Sequence, residues 1–377
     1  MQSVATILMC CSFLLHKDWK EVIRKSTTSY MTISFVGIFL IYAISFFFSE
    51  NKIELFAILK NKLPLIFIAI SIISIEKISK IKLNILLYFF IFCSFSSSIW
   101  SYFQYQKNIE FYANLYAQGE VIPTIIHHVS FAVLLCFSVL FILNIIVQSV
   151  NKIKQFVLII LLVWFIYFIH ILSVRTGIVL LYISIFLFAL SMLIIKKKLA
   201  IAGGLMFIMI ASAYFAYQKI PTIKSKIGYT IYSIDIYKDK KDTTNQASDA
   251  RRILSDKIGF EILQQHKYFG VGFGDIQDEM NKIYKQRYPY FKQDVYSRIH
   301  NQYLYVITSA GVIFGSIFCL LLLLPFIQFI KDKNIVFAIA YFLLLLLMLW
   351  ESFLENQLGT SIFLWICCVG YVSKNND

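Results

Sequence analysis

The chain has 377 residues, of which 59% are hydrophobic and 15% are charged; a soluble domain usually has about a quarter charged residues. This composition excludes an ordinary soluble protein and predicts a membrane protein whose apolar surface faces lipid. The net charge of +14 fits that class, because Lys and Arg collect in the cytoplasmic loops of multi-pass proteins. No basic run interleaved with aromatic residues forms a soluble module, so nucleic acid is not an expected partner.

Apolar runs long enough to cross a bilayer, about 20 residues each, recur along the chain. The candidate spans are Val4–Leu15 (short), Tyr30–Phe48, Leu63–Ile75, Leu83–Phe103, Ile125–Val147, Phe156–Ser173, Gly177–Ile195, Leu199–Tyr217, Gln302–Ile330, Ile335–Trp350 and Thr360–Val372. The first is not expected to be a cleaved signal peptide, because no charged n-region or small-residue cleavage site frames it. We predict an all-α polytopic membrane protein with about 11–12 transmembrane helices.

Basic residues on the short loops predict the orientation of these spans. The clusters that fall on alternate loops, and are therefore expected to be cytoplasmic, are Lys77–Lys82, Lys152–Lys154, Lys196–Lys198 and Lys331–Lys333. Gln218–Ser297 then forms one large extracytoplasmic loop. The chain accordingly divides into N-terminal transmembrane helices (1–217), a loop subdomain (218–297) and C-terminal transmembrane helices (298–377).

The segment Asn51–Lys62 does not fit the charge rule, because it carries three lysines on a loop that should be external. Its apolar residues have the spacing of a short amphipathic helix. We expect it to lie in the membrane interface.

The large loop has fourteen Lys and Arg against ten Asp and Glu. A positive surface on the outer side would attract anionic groups such as phosphates, but a solvated loop of mixed charge explains the composition equally well. Ala250–Gln265 has a helical pattern. Gly270–Gly274 follows without a preceding strand, so these glycines predict a tight turn of the backbone, not a dinucleotide site.

The seven cysteines all lie in apolar segments and lack the spacing of a zinc site or a disulfide framework. We interpret them as small buried hydrophobic residues. No DxD motif or carboxylate pair that would hold a metal is found, and no cofactor is expected.

Three polar residues are not explained by topology. Arg175 lies in a very short turn on the expected outer side, where either a functional role or snorkelling would account for it. Arg252 is near the start of the loop helix, where a cation is unfavourable to the helix dipole, so we expect an anionic partner: Asp249, Asp256 or a ligand phosphate. His300 begins a span, and a titratable group near membrane depth indicates a functional site unless a loop carbonyl satisfies it.

These residues fall in a recognisable order. An Arg-Thr-Gly turn at Arg175 precedes the large loop, in which Arg252 stands about fourteen residues before the segment His266–Gly274. His300 follows, with ten residues between it and Gly311. From about Ser45 to Phe329 the chain thus resembles the bacterial O-antigen ligase and polymerase superfamily, membrane glycosyltransferases that use polyprenyl-diphosphate-linked glycans.

The chain departs from the family pattern at two positions. Asp256 stands where Trp or Leu is frequent, and Lys267 stands where Pro is frequent. Neither position is one of the three polar residues that carry the resemblance.

The resemblance implies a GT-C-like enzyme of the cytoplasmic (inner) membrane with its active site on the periplasmic face. It implies metal-independent, inverting transfer of a glycan from undecaprenyl diphosphate to a lipid A–core acceptor in lipopolysaccharide biosynthesis, by an O-antigen ligase. A polymerase would instead transfer the glycan to another repeat unit. A glycolipid transporter, in which the arginines only bind, is an alternative from another class, but no internal repeat supports it.

In this family the catalytic residues would be His300, Arg175 and Arg252. The histidine side chain titrates near neutral pH and suits a general base, whereas guanidinium groups suit the diphosphate. Further substrate-binding candidates are Arg251, Arg298, Asn301, Tyr303, His127 and His128, although Tyr303 also suits packing and the two histidines suit a satisfied interface. Gly311 and Gly315 form a GxxxG motif that would let a helix approach closely.

Overall fold

The computed structural model describes residues 29–74, 78–117, 121–195, 197–239, 248–288 and 296–373. In these ranges the chain forms helices and loops and no strand. The helices are α1 (Tyr30–Ile44), α2 (Lys52–Ser74), α3 (Lys80–Lys107), α4 (Ile109–Ala117), α5 (His128–Gln148), α6 (Lys152–Leu172), α7 (Arg175–Ile194), α8 (Leu199–Lys219), α9 (Pro221–Asp239), α10 (Ser248–Gln265), α11 (Ile276–Arg287), α12 (Gln302–Lys331), α13 (Ile335–Leu347) and α14 (Gln357–Val372). The predicted span Val4–Leu15, together with Lys77 and Lys196, lies outside the described residues.

Seven stretches of described helix are long and apolar enough to cross a membrane. They are Tyr30–Phe47, which continues α1 through a short 3-10 turn, and α3, α5, α6, α7, α8 and α12. Two shorter apolar helices, α13 and α14, follow. The prediction of an all-α polytopic membrane protein is confirmed, because each predicted span within the described ranges falls on a helix.

Helix α2 differs from the prediction. Asn51–Lys62 was expected to be an interfacial helix separate from the span that begins at Leu63, but one helix runs from Lys52 to Ser74 with Pro64 inside it. Lys62 is only 1% exposed, so its charge lies inside the protein and not at an interface. The interfacial prediction is wrong for the Lys62 end of the segment, because Glu355 pairs with this lysine inside the protein.

The described residues divide into two compact units. The first contains the chain up to Ser79 and from Arg251 onward, and the second is Lys80–Ala250. The division at residues 217 and 297, which follows membrane topology, stays a prediction.

The second unit is built around α5, which is buried along most of its length. Helix α5 contacts α3, α6 and α7, which cover most of its surface. Gly177 permits the close approach of α7, since a Cβ there would lie 2.5 Å from that of Ala132. At the end of this unit that carries Arg175, the Tyr116 hydroxyl donates to the carbonyls of Ile171 and Leu172 at 3.0 and 2.9 Å.

The first unit encloses a buried carboxylate, that of Glu355, in the turn before α14. It accepts a hydrogen bond from Gln302 Nε2 at 2.7 Å and one from the Tyr42 hydroxyl, and it lies 3.4 Å from Lys62 Nζ. Lys62 also donates to the Leu354 carbonyl. Because an unpaired buried charge is strongly destabilising, this network ties α1, α2 and the start of α12 to the turn.

Helix α12 is interrupted at Gly311, whose φ of 78° is left-handed. The interruption frees backbone groups that bind the preceding glycine-rich loop. Val271 N donates to Thr308 O at 3.2 Å, Gly272 N to Ser309 O at 2.8 Å, and Val312 N to Lys267 O at 2.8 Å. Gly311 therefore makes room for the glycine-rich loop of the same unit. The GxxxG interpretation, in which Gly311 would let a neighbouring helix approach, does not hold at this position.

Gly311→Ala is expected to destabilise the protein by about 1–3 kcal/mol from backbone strain alone. The added Cβ would also overlap the Tyr268 carbonyl. Gly204→Ala is the control, because no atom lies within 4 Å of a Cβ at that helical position. Thermal unfolding of the detergent-solubilised variants should give a lower midpoint for Gly311→Ala only; equal midpoints would contradict the structural role of the interruption.

Candidate active site

Arg252 and His300 are brought together in the first unit by a third residue, Glu351. Arg252 lies in the first turns of α10, and Glu351 follows α13. An Arg252 terminal nitrogen (Nη2) lies 2.6 Å from Glu351 Oε1, and the other (Nη1) donates to the Trp350 carbonyl at 3.1 Å. The guanidinium thus forms an ion pair with Glu351 and a hydrogen bond with the backbone beside it.

His300 lies on the other side of the same carboxylate. Its Nδ1 is 3.9 Å from Glu351 Oε2, and a quarter of its side chain is exposed. Burial by itself raises the pKa of Glu351, but the proximity of His300 and the charge of Arg252 outweigh burial, so the pKa lies below its usual value. The carboxylate is therefore ionised at neutral pH between two cationic or potentially cationic groups.

The backbone of His300 is fixed by Asp256, one turn after Arg252 on α10. Asp256 Oδ1 accepts the N–H of His300 at 3.0 Å and that of Asn301 at 3.4 Å. Burial raises the pKa of Asp256, and the two N–H groups partly offset this. Asn301 in turn caps α12, since its side chain accepts the Leu304 N–H at 3.0 Å. The departure from the family pattern at Asp256 thus supplies an acceptor that positions His300.

Arg175, the first residue of α7, belongs to the second unit. Its guanidinium forms a two-pronged contact with Asp249, one prong at 2.6 Å, and donates to Thr230 Oγ1 at 3.0 Å. The side chain is 42% exposed. The expected partners of Arg252, Asp249 and Asp256, are therefore wrong: Asp249 pairs with Arg175, and Arg252 pairs with Glu351.

The remaining substrate-binding candidates have varied surroundings. Tyr303 donates its hydroxyl to the Leu345 carbonyl at 2.9 Å, which favours packing of α12 on α13. Arg298 is exposed and Arg251 is half-buried in the first unit. His127 and His128 begin α5 in the second unit, with ring centroids 4.4 Å apart. A role in substrate binding stays a prediction for each of them, and for Asn301.

Sequence reasoning missed Glu351, although the signal was present. Glu351 directly follows an apolar run, as His300 directly precedes one, and charged groups at membrane depth are functional candidates by default. Within the described ranges, no three His, Cys, Asp or Glu side chains are placed to hold a metal ion.

Part of the chain matches a known family. A model of the O-antigen ligase family matches residues 158–319, a range that contains Arg175, Arg252 and His300 and ends before Glu351. The match covers under half of the chain, and it confirms the predicted O-antigen ligase and polymerase superfamily. The match supports a membrane enzyme of the O-antigen ligase or polymerase type. No curated protein matches the chain.

Asp256→Asn is expected to leave stability at neutral pH unchanged or raised, since it keeps an acceptor for His300 N–H and removes a buried charge. Asp256→Ala should lose about 1–3 kcal/mol, because that N–H loses its partner. Burial raises the pKa of Asp256 in the folded protein. The stability of the wild type should therefore be highest at low pH, where Asp256 is protonated, and should decline as the pH rises through that pKa. The Asn variant should lack this decline. Unfolding midpoints across pH test this, and equal losses in both variants would contradict it.

Proposed function

We propose that the protein is an O-antigen ligase that transfers a glycan from a polyprenyl diphosphate to a lipid A–core acceptor. The observation that carries the proposal is the cluster in which Arg252 and His300 flank one carboxylate. Both residues lie in the range that matches the O-antigen ligase family. A cationic fork beside a titratable imidazole is the pair of groups that transfer from a diphosphate donor needs.

The donor diphosphate would bind to the arginines. Each of them already holds an oxyanion, since Arg252 contacts Glu351 and Arg175 contacts Asp249. Guanidinium groups bind carboxylate and phosphate oxygens in the same planar, two-pronged way and stay charged at every relevant pH. In the proposed reaction they stabilise negative charge on the leaving diphosphate.

His300 would act on the acceptor. Its imidazole takes the proton from an acceptor sugar hydroxyl as the hydroxyl oxygen forms a bond to the anomeric carbon. The bond from that carbon to the diphosphate oxygen breaks, and the polyprenyl diphosphate leaves with the electron pair. Attack on the face opposite the leaving group inverts the anomeric centre. The positive charge in this scheme comes from the arginines and needs no metal.

The enzyme is proposed to lie in the inner membrane with Arg175, Arg252 and His300 on the periplasmic side. The basic loops at Lys152–Lys154 and Lys331–Lys333 support this orientation, since positive loops are retained in the cytoplasm. The carrier-linked glycan and the lipid A–core would then meet the enzyme at the outer surface of that membrane.

His300→Ala is expected to reduce transfer in vitro by about 10²–10⁴-fold, the usual contribution of a general base, while donor binding persists. Arg→Lys at Arg175 or Arg252 should impair transfer and Arg→Ala should impair it more, because the planar fork is lost. Purified enzyme, a lipid-linked glycan and lipid A–core are the assay components.

Arg287→Ala is the matched control, because it removes another arginine–carboxylate pair, that of the exposed Arg287 at the end of α11 with Glu261 of α10 at 2.5 Å. It should transfer normally. Wild-type enzyme that extends a second lipid-linked repeat unit but leaves lipid A–core unmodified would be a polymerase. Normal transfer by both Arg→Ala variants would contradict the proposal that Arg175 and Arg252 bind the donor diphosphate.

The orientation is tested by labelling single cysteines introduced at Lys282 and Lys198 in a variant without native cysteines. Both side chains are exposed. In intact spheroplasts, a membrane-impermeant maleimide should label Lys282→Cys and leave Lys198→Cys unlabelled until lysis. The reverse pattern would overturn the proposed periplasmic site.

A further inference from the structure

Glu351 has two possible partners, and in the structure it is bound to only one of them. Its Oε1 lies 2.6 Å from Arg252, whereas its Oε2 is 3.9 Å from His300 Nδ1. The second distance is too long for a hydrogen bond, which needs about 2.7–3.2 Å. The imidazole therefore faces a carboxylate that the arginine holds about an ångström too far away.

We propose that Glu351 is a positioning residue that exchanges between Arg252 and His300 as the donor binds. When a diphosphate takes the guanidinium, the carboxylate moves to the imidazole, orients it and stabilises its protonated form. This inference rests on the proposed function, because it assumes that Arg252 binds the diphosphate and that His300 accepts a proton. It couples donor binding to activation of the base.

The charges favour this exchange. A diphosphate carries more negative charge than a carboxylate and matches the guanidinium fork equally well, so it competes with Glu351 for Arg252. A displaced carboxylate beside a bound diphosphate meets like charge and is repelled. His300 becomes positive when it takes the acceptor proton, and its Nδ1 lies only 3.9 Å from the carboxylate.

The other charged groups around His300 do not replace Glu351. Helix α10 presents Arg252 and Asp256, and the loop after α13 presents Glu351. Asp256 is engaged with the backbone N–H groups of His300 and Asn301, so it fixes the main chain. In the described part of the chain, the carboxylate that faces the ring is that of Glu351.

The backbone that carries Glu351 is anchored independently of its side chain. Glu351 N donates to Leu347 O at 3.0 Å, and Leu354 N donates to Gln302 Oε1 at 2.8 Å. A shift of about an ångström therefore needs only side-chain torsions, which turn rapidly in partly exposed groups. For the same reason Glu351→Gln is expected to fold.

The first test is the kinetics of Glu351→Gln and Glu351→Asp in the full-length enzyme. Glu351→Gln should lower kcat about tenfold or more, since His300 loses the carboxylate that orients it and stabilises its protonated form. The donor KM should stay equal or fall, because a neutral amide competes less with the diphosphate for Arg252. The acidic limb of the rate profile should move to lower pH, since losing the negative charge disfavours protonation of His300.

Glu351→Asp keeps the charge on a shorter arm and should recover part of kcat and the position of the acidic limb. A merely structural role predicts something different: a lower unfolding midpoint, a raised donor KM and an unmoved pH profile. If Glu351→Gln fails to fold, Glu351→Asp decides the test by the same split between kcat and KM. Wild-type kinetics in the Gln variant would overturn the exchange.

A second test does not depend on activity. Diethylpyrocarbonate modifies neutral imidazoles, and peptide mass spectrometry reports the rate at His300 with and without inorganic pyrophosphate. Pyrophosphate should slow modification severalfold in the wild type and much less in Glu351→Gln, because only the wild type has a carboxylate to release. Equal slowing in both would overturn the exchange even if transfer is observed. Unequal slowing in an enzyme without transfer activity would keep the exchange and overturn the proposed function.

Discussion

The buried carboxylate of Glu355 determines how the first unit holds its candidate active site. With only 4% of its side chain exposed, it must be paired and hydrogen-bonded, or the fold would lose several kcal/mol. Gln302 provides one of these bonds and also accepts the Leu354 N–H, while its own N–H binds Met348 O. Gln302 stands two residues after His300, and the loop it binds contains Glu351. Satisfying the buried charge therefore holds the start of α12, next to His300, against the loop that carries Glu351.

A second restraint links the arginine to the same helix. The glycine-rich loop continues directly from α10, which carries Arg252, and its backbone binds α12 at the interruption around Gly311. Helix α12 is thus attached to α10 at two places, at this interruption and through Asp256 at its first residues. Left-handed backbone at Gly270, Gly272 and Gly311 makes the first attachment possible, because side chains larger than hydrogen would be strained there.

The helices could be predicted from the sequence because their signal is local. A bilayer requires long apolar runs, and each run within the described ranges is helical. The pairing of charges could not be predicted in this way, since Lys62 and Glu355, or Arg252 and Glu351, are far apart in sequence. Lys62 therefore suggested an interface, and Asp249 and Asp256, which are close in sequence to Arg252, were the protein partners expected for it. Gly311 misled for a related reason: a GxxxG pattern does not reveal that its first glycine has a positive φ. The candidate residues Arg252 and His300 were found from their placement, but the carboxylate between them was not.

Pairing each arginine with a carboxylate changes what a ligand must do to bind. A guanidinium without a partner would accept any anion, whereas Arg252 and Arg175 are already neutralised by Glu351 and Asp249. A ligand gains only the difference between its own interaction and that of the resident carboxylate. A carboxylated sugar offers the same charge and geometry and gains little, but a diphosphate offers more charge on more oxygens. In the proposed reaction, the resident carboxylates would act as a threshold that favours a diphosphate-linked donor over other anionic glycans, and Glu351 would become available to His300 only after its displacement from Arg252.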